Sequence, residues 1–161
     1  MTGKRHAARE MAVQMLYQHE MGDSELPQVF QSFDLTDFLS REGKGKRGRR
    51  DDPEAVRKRV REAFDQARSL VEGTTRHRPE IDELIRSQAD NWRLERMPVV
   101  DRNILRLAVY EMLHRPDVPK LVVLDEAIEL AKRYGSDQSG RFVNGLLDGL
   151  LKQRAFPGSV R

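Results

Sequence analysis

Apolar residues recur at helical spacing along most of the chain. Between Arg5 and Met21 they fall at Ala8, Met11, Ala12, Met15 and Leu16, the series that lines one face of a helix. A second helix is predicted from about Leu26 to Ser40, with Val29, Phe30, Phe33, Leu35, Phe38 and Leu39 inward. A third, from Pro53 to Gly73, buries Val56, Val60, Phe64, Ala67 and Val71, and Gly73 is a fitting stop. After "TTRHRP" a fourth runs from Pro79 to about Asp90 on Ile81, Leu84, Ile85 and Ala89. The fifth, Pro98 to His114, is apolar on more than one side and should be central. Pro119 opens the sixth, Gly135 closes it, and the seventh begins near Ser136 or Asp137. No segment alternates long enough to make a strand. The pattern predicts an all-α protein of about seven helices. They form two three-helix units about the "TTRHRP" joint, residues 1–75 and 76–161.

Composition changes this picture in one place. Six basic residues and three glycines stand between Arg41 and Arg50, before Pro53. They predict a flexible basic loop at 41–52, able to add non-specific RNA affinity or to remain a solvated surface segment. From Arg41 to Arg61 the local balance is +6 in a chain of net charge +3, so the basic excess is concentrated. The chain has no cysteine, which excludes disulfides, thiol nucleophiles and Cys-type zinc sites. No apolar run is long enough for a bilayer and none resembles a signal peptide, so the expected location is the cytoplasm, away from membranes.

Catalytic chemistry is not evident. His6, His19, His77 and His114 fall on different predicted elements, and no pair has the spacing of a helical metal site. No metal, cofactor or catalytic set is expected. One stretch invites a nucleotide reading: "YGSDQSGRFVNG", Tyr134 to Gly145, nearly matches a phosphate-binding P-loop. It lacks the lysine, has Phe142 where the metal-binding hydroxyl belongs, and follows a helix instead of a strand. ATP or GTP binding is therefore not expected. The stretch reads instead as a helix-helix turn, with Gly135 in a left-handed conformation and Ser136 or Asp137 capping the next helix. Lys132, Arg133 and Arg141 flank it, and Tyr134 offers a stacking ring, a combination suited to single-stranded RNA. The plainer alternative is a capped turn with Tyr134 packed as a lid. Lys4, Arg5 and Arg9 make a second basic group on the first helix. Four backbone contacts, from Arg5, Arg9, Lys132 and Arg141, imply a slope of about −3 in log K against log salt, at about −0.7 per phosphate.

Three stretches together resemble the NusB family of transcription antitermination factors. They are "HAAREMAVQMLYQ", "VDRNILRLAVYEM" and "VPKLVVLDEAIELAKRYGSDQSGRFVNGLLD". The likeness covers most of the chain and is most specific from Asp101 to Asp148; Glu42 to Asp52 looks like an insertion, and His6 and Ala7 interrupt the family's usual arginine run. The resemblance implies two perpendicular three-helix bundles and a role without enzymatic activity. It implies binding of the boxA element in ribosomal RNA leader transcripts, together with NusE, a small-subunit ribosomal protein, within the RNA polymerase antitermination complex. Carried over by position, the RNA face would comprise Lys4, Arg5, Arg9, Lys132, Tyr134, Gln138, Ser139, Arg141 and Asn144. The NusE face would include Tyr17, Glu95 and Asp101, acidic groups suited to a basic partner. Tyr17 and Phe142 fit a core role as well.

Two other readings stay open on the sequence. One is a non-catalytic protein-interaction bundle. The other is an RNA-binding domain related to that of ribosomal-RNA cytosine methyltransferases, although no Gly-rich cofactor motif occurs here. Monomer and homodimer are equally compatible with the residues.

Overall fold

The computed structural model describes residues 4–44, 51–90 and 92–158. Among the described residues there are eight α-helices, one short 3-10 turn and no strand, in agreement with the all-α expectation. The chain divides into two units, Met1–Val71 and Glu72–Arg161.

The first unit holds α1 (Lys4–Gly22), α2 (Leu26–Ser32), α3 (Thr36–Gly43) and the larger part of α4 (Pro53–Arg76). Burial on α1 exceeds the predicted stripe. Every residue from Ala7 to Val13 is buried, which takes in the whole circumference of the helix. The helix predicted from Leu26 to Ser40 is broken in two. Phe33 leaves α2 in an extended conformation, and the Asp34 carboxylate accepts the Thr36 N–H at 2.9 Å. Such a side-chain bond competes with the helical ladder and starts α3 afresh. Hydrogen bonds from the Thr36 side chain and backbone hold the Asp34 carboxyl below its usual range. Phe33 packs 6.2 Å from both Phe38 and Phe64, centroid to centroid.

Arg41 is not loop. It lies in the last turn of α3, with Nη1 3.3 Å from Glu10 Oε1 and its guanidinium carbon 4.7 Å from the Phe38 ring. Glu10 is 1% exposed, so its charge must be met inside the unit, and Arg41 meets it, with His6 Nε2 3.5 Å away. Residues 45–50 of the expected basic loop lie outside the described residues. On its two flanks, Arg59 pairs with Glu42 at 3.6 Å and Asp51 at 2.8 Å.

The second unit is built around α6 (Val99–His114), in which every residue from Asp101 to Met112 is buried. α5 (Arg78–Gln88), α7 (Lys120–Tyr134) and α8 (Ser139–Gln153) pack on it. The five polar or charged side chains on this buried span are Asp101, Arg102, Asn103, Arg106 and Glu111. Arg106 makes a two-pronged pair with Asp82 of α5, at 2.8 and 3.2 Å. Arg102 donates to the carbonyls of Leu94, Glu95 and Met97 at 3.2–3.3 Å, which ties the 3-10 turn Leu94–Arg96 to α6. Gly73 does not end its helix. α4 runs on to Arg76, and a Cβ on Gly73 would collide with the Tyr110 phenol, so this glycine permits close packing. No described helix is long and apolar enough to cross a membrane.

The Glu10–Arg41 pair predicts a stability effect that a loop arginine would not have. Arg41→Ala leaves a buried carboxylate short of its partner and should lower unfolding stability by about 1–3 kcal/mol. Glu10→Gln in that background should recover part of the loss, measured as a double-mutant cycle in urea.

Candidate nucleic-acid interface

α7 ends at Tyr134 and α8 starts at Ser139, and the turn between them is set by sterics. Gly135 adopts φ −98° and ψ −162°, an extended conformation, not the left-handed one predicted. Glycine is required for another reason. A Cβ here would press on the Ser139 hydroxyl and come within 2.8 Å of the Ala131 carbonyl oxygen. Ser139 is 1% exposed, and its Oγ accepts the Ser136 N–H at 2.9 Å. Ser136 Oγ lies 3.2 Å from Ser139 Oγ and accepts the Gln138 N–H at 3.4 Å. Two serines thus close the turn; the residue that caps α8 is Gln138, without a side-chain cap bond, and not Ser136 or Asp137 as expected. Ser139, expected to touch RNA, is buried and braces the turn from inside.

The turn borders a cleft of about 420 Å³ lined by Lys132, Gly135, Ser136, Asp137, Gly140 and Arg141. Lys132 and Arg141 are exposed, and Lys132 makes only a 4.0 Å contact with exposed Glu129. Gly140 shapes the lysine's path, since a Cβ on it would lie 3.2 Å from Lys132 Cγ. The start of α8 adds the positive end of a helix dipole. Gln138 and Asn144 are exposed beside Arg141, and Asn144 is one turn further along the same side. Tyr134 is half-buried, with the Arg133 guanidinium 5.6 Å from its ring centre. The structure therefore brings Lys132, Tyr134, Gln138, Arg141 and Asn144 together around one turn.

Comparison with known proteins decides what family carries this turn. The model of the NusB family matches residues 6–152. The transcription antitermination protein NusB of Sorangium cellulosum is 47% identical over 91% of this chain and 90% of its own length. That of Myxococcus xanthus is 44% identical over 91% and 93%. Among solved structures, NusB of T. maritima is 38% identical with a TM-score of 0.73, covering 96% of this chain and 95% of that one. Antitermination factors NusB and NusE in complex with double-stranded RNA give 26% identity and a TM-score of 0.71, covering 96% and 100%.

The chain belongs to the NusB family. The role for which its NusB relatives are named, transcription antitermination, is not a catalytic one. Several residues carried over by the NusB resemblance sit differently from what was expected. Arg5 is exposed on α1, but Arg9 is 4% exposed and has polar partners within the protein. It is placed to support α1 and not to meet solvent. Lys4 opens α1, and its side chain lies outside those described. Tyr17 is 42% exposed, so it is no core residue. Glu95 is exposed, and Arg86 Nη2 donates to its Oε1 at 3.2 Å. Its carboxyl is held below the usual range by a hydrogen bond from its own backbone and by Arg86, so it stays charged at neutral pH. Asp101 is 3% exposed, with a buried Oδ1 that accepts no hydrogen bond. It cannot present its charge as Glu95 does, and a lysine there would have to be buried.

Sequence reasoning missed Trp92. It is 59% exposed and meets the half-buried Phe142 edge to face, centroids 5.5 Å apart. A lone tryptophan in the polar run "NWRLERMP" was the available signal. Phe142, expected in the core with Leu146 and Leu150, leans out to this tryptophan.

The glycines of the site and of α8 should separate under mutation. Gly135→Ala should destabilise by about 1–3 kcal/mol, because backbone and a buried serine stand in the way. Gly145→Ala meets nothing within 4 Å and should stabilise α8 by about 0.5–1 kcal/mol. Thermal melts of the two variants check both signs.

Proposed function

We propose that this chain is an RNA-binding antitermination factor whose α7–α8 turn engages boxA of ribosomal RNA leader transcripts, with NusE as its protein partner. The observation that carries the reading is the cleft beside Ser136, with Lys132 and Arg141 on its walls. Two cations at the positive end of a helix attract phosphate. Asp137, on the same wall, opposes phosphate but suits a base amino group, so the cleft is built for bases as well as backbone. The half-buried Tyr134 ring supplies a stacking face. The solved NusB–NusE complex with RNA supports the choice of partners. Exposed Tyr17 and Glu95 are the residues we assign to NusE, a basic protein that favours a fixed negative charge.

Burial of Arg9 revises the electrostatics. Arg5, Lys132 and Arg141 remain as exposed cations, and three backbone contacts give a slope of about −2 in log K against log salt for single-stranded RNA. Arg141→Ala should weaken boxA binding and flatten that slope by about 0.7. Tyr134→Ala should cost about tenfold to hundredfold with little change in slope. The measurement is fluorescence anisotropy on boxA and scrambled RNA across a salt series, with and without NusE. Glu95→Lys should remove the gain due to NusE and leave binding to RNA alone no weaker. Folded Arg141→Ala and Tyr134→Ala proteins that bind boxA like the parent would place the RNA site elsewhere.

A further inference from the structure

Two histidines that stand far apart in the sequence meet in the second unit. His77 occupies the junction of α4 and α5, and His114 is the last residue of α6. Their rings stack with centroids 3.9 Å apart and planes 26° from parallel. Glu80, in the first turn of α5, reaches both: Oε2 is 4.0 Å from His77 Nδ1, and Oε1 is 3.7 Å from His114 Nε2. The three ligand atoms lie within 4.8 Å of one another. His114 Nε2 is buried and has no hydrogen-bond partner, since the carboxylate stands too far away to accept or donate. An orphaned buried imidazole nitrogen, beside a second imidazole and a carboxylate, requires an account.

We propose that His77, Glu80 and His114 bind one divalent transition-metal ion of the zinc class. Two imidazoles and one carboxylate are a three-ligand set suited to zinc, with a fourth position left for water or a partner's side chain. Imidazole nitrogen selects this class over magnesium or calcium, which take oxygen ligands. At zinc bond lengths, tetrahedral ligand atoms stand about 3.3 Å apart. The two contacts from Glu80 run from different oxygens; with one oxygen as ligand, the three ligand atoms stand within 4.8 Å of one another, wider than that spacing but within reach of side-chain rotation. Turning the part-exposed imidazoles out of their stack, so that both nitrogens converge, closes the rest. The backbone beneath is already fixed. The His77 N–H donates to the Gly73 carbonyl at 3.0 Å, its own carbonyl accepts the Ile81 N–H at 3.0 Å, and the Arg115 N–H donates to Glu111 at 2.9 Å. Gly73 admits the Tyr110 ring, which stacks on His114 with centroids 5.3 Å apart. Glu80 offsets one of the two charges of the ion. The absence of cysteine removes any competing thiolate from this chain.

The test is calorimetric titration of the untagged full chain with zinc chloride, and with magnesium chloride as the hard-cation control. One equivalent of zinc should bind with micromolar affinity and raise the melting temperature, and magnesium should give no heat. His77→Gln, His114→Gln and Glu80→Gln should each weaken zinc binding by about tenfold or more, with helical circular dichroism unchanged. Glu80 is exposed, so its variant keeps the test informative if a histidine variant unfolds. His6→Gln and His19→Gln should bind as the parent does. The proposal is overturned by a parent that takes up no zinc, by His77→Gln and Glu80→Gln proteins that bind it undiminished, or by a site that disappears with His6 or His19.

Discussion

α6 is enclosed by protein over twelve consecutive residues, and the second unit is organised by what that enclosure demands. On a helix buried all round, a charge is costly unless it finds a partner inside. Arg106 finds Asp82, which fixes α5 against α6, and Arg102 finds three carbonyls, which fixes the 3-10 turn. Removing either arginine's partners would leave a buried cation, so these contacts specify position more than they add stability. With α5 and the turn thus placed, the remaining faces of α6 take α7 and α8. The α7–α8 turn inherits its geometry from that packing.

The turn itself is a case of small residues placing large ones. Gly135 and Ser139 bring the ends of α7 and α8 together, and Gly140 leaves bare backbone along which Lys132 lies. The cations are therefore held by neighbours that touch no ligand. Glycine spacing of this kind imitates a P-loop in sequence, because both need backbone without side chains near phosphate. The lysine and the metal-binding hydroxyl separate the two, and here both are missing.

Helix number and placement were largely legible from apolar spacing, because the helices with one buried face show it as a period. The failures have physical causes. The break between α2 and α3 comes from one Asp34 bond, which no periodicity records. Arg41 reads as loop beside its glycines, yet a buried glutamate on α1 draws it into a helix. Gly73 and Gly135 read as stop and left-handed turn, and both instead relieve contacts with distant or neighbouring side chains, Tyr110 and Ser139. The clustering of Lys132, Tyr134, Gln138, Arg141 and Asn144 was legible because they are local to one turn. The burial of Arg9, Ser139 and Asp101 was not legible, because burial depends on packing that spacing alone does not give. His77 and His114 were read as scattered for the same reason.

Amide chemical shifts followed during a titration with boxA RNA test most directly whether the α7–α8 turn is the RNA site. The backbone signals of Gly135, Ser136, Gly140 and Arg141 should move together and saturate at one equivalent of RNA, while those of α2 stay in place. Saturable shifts concentrated on other helices, with these four signals unmoved, would contradict the assignment.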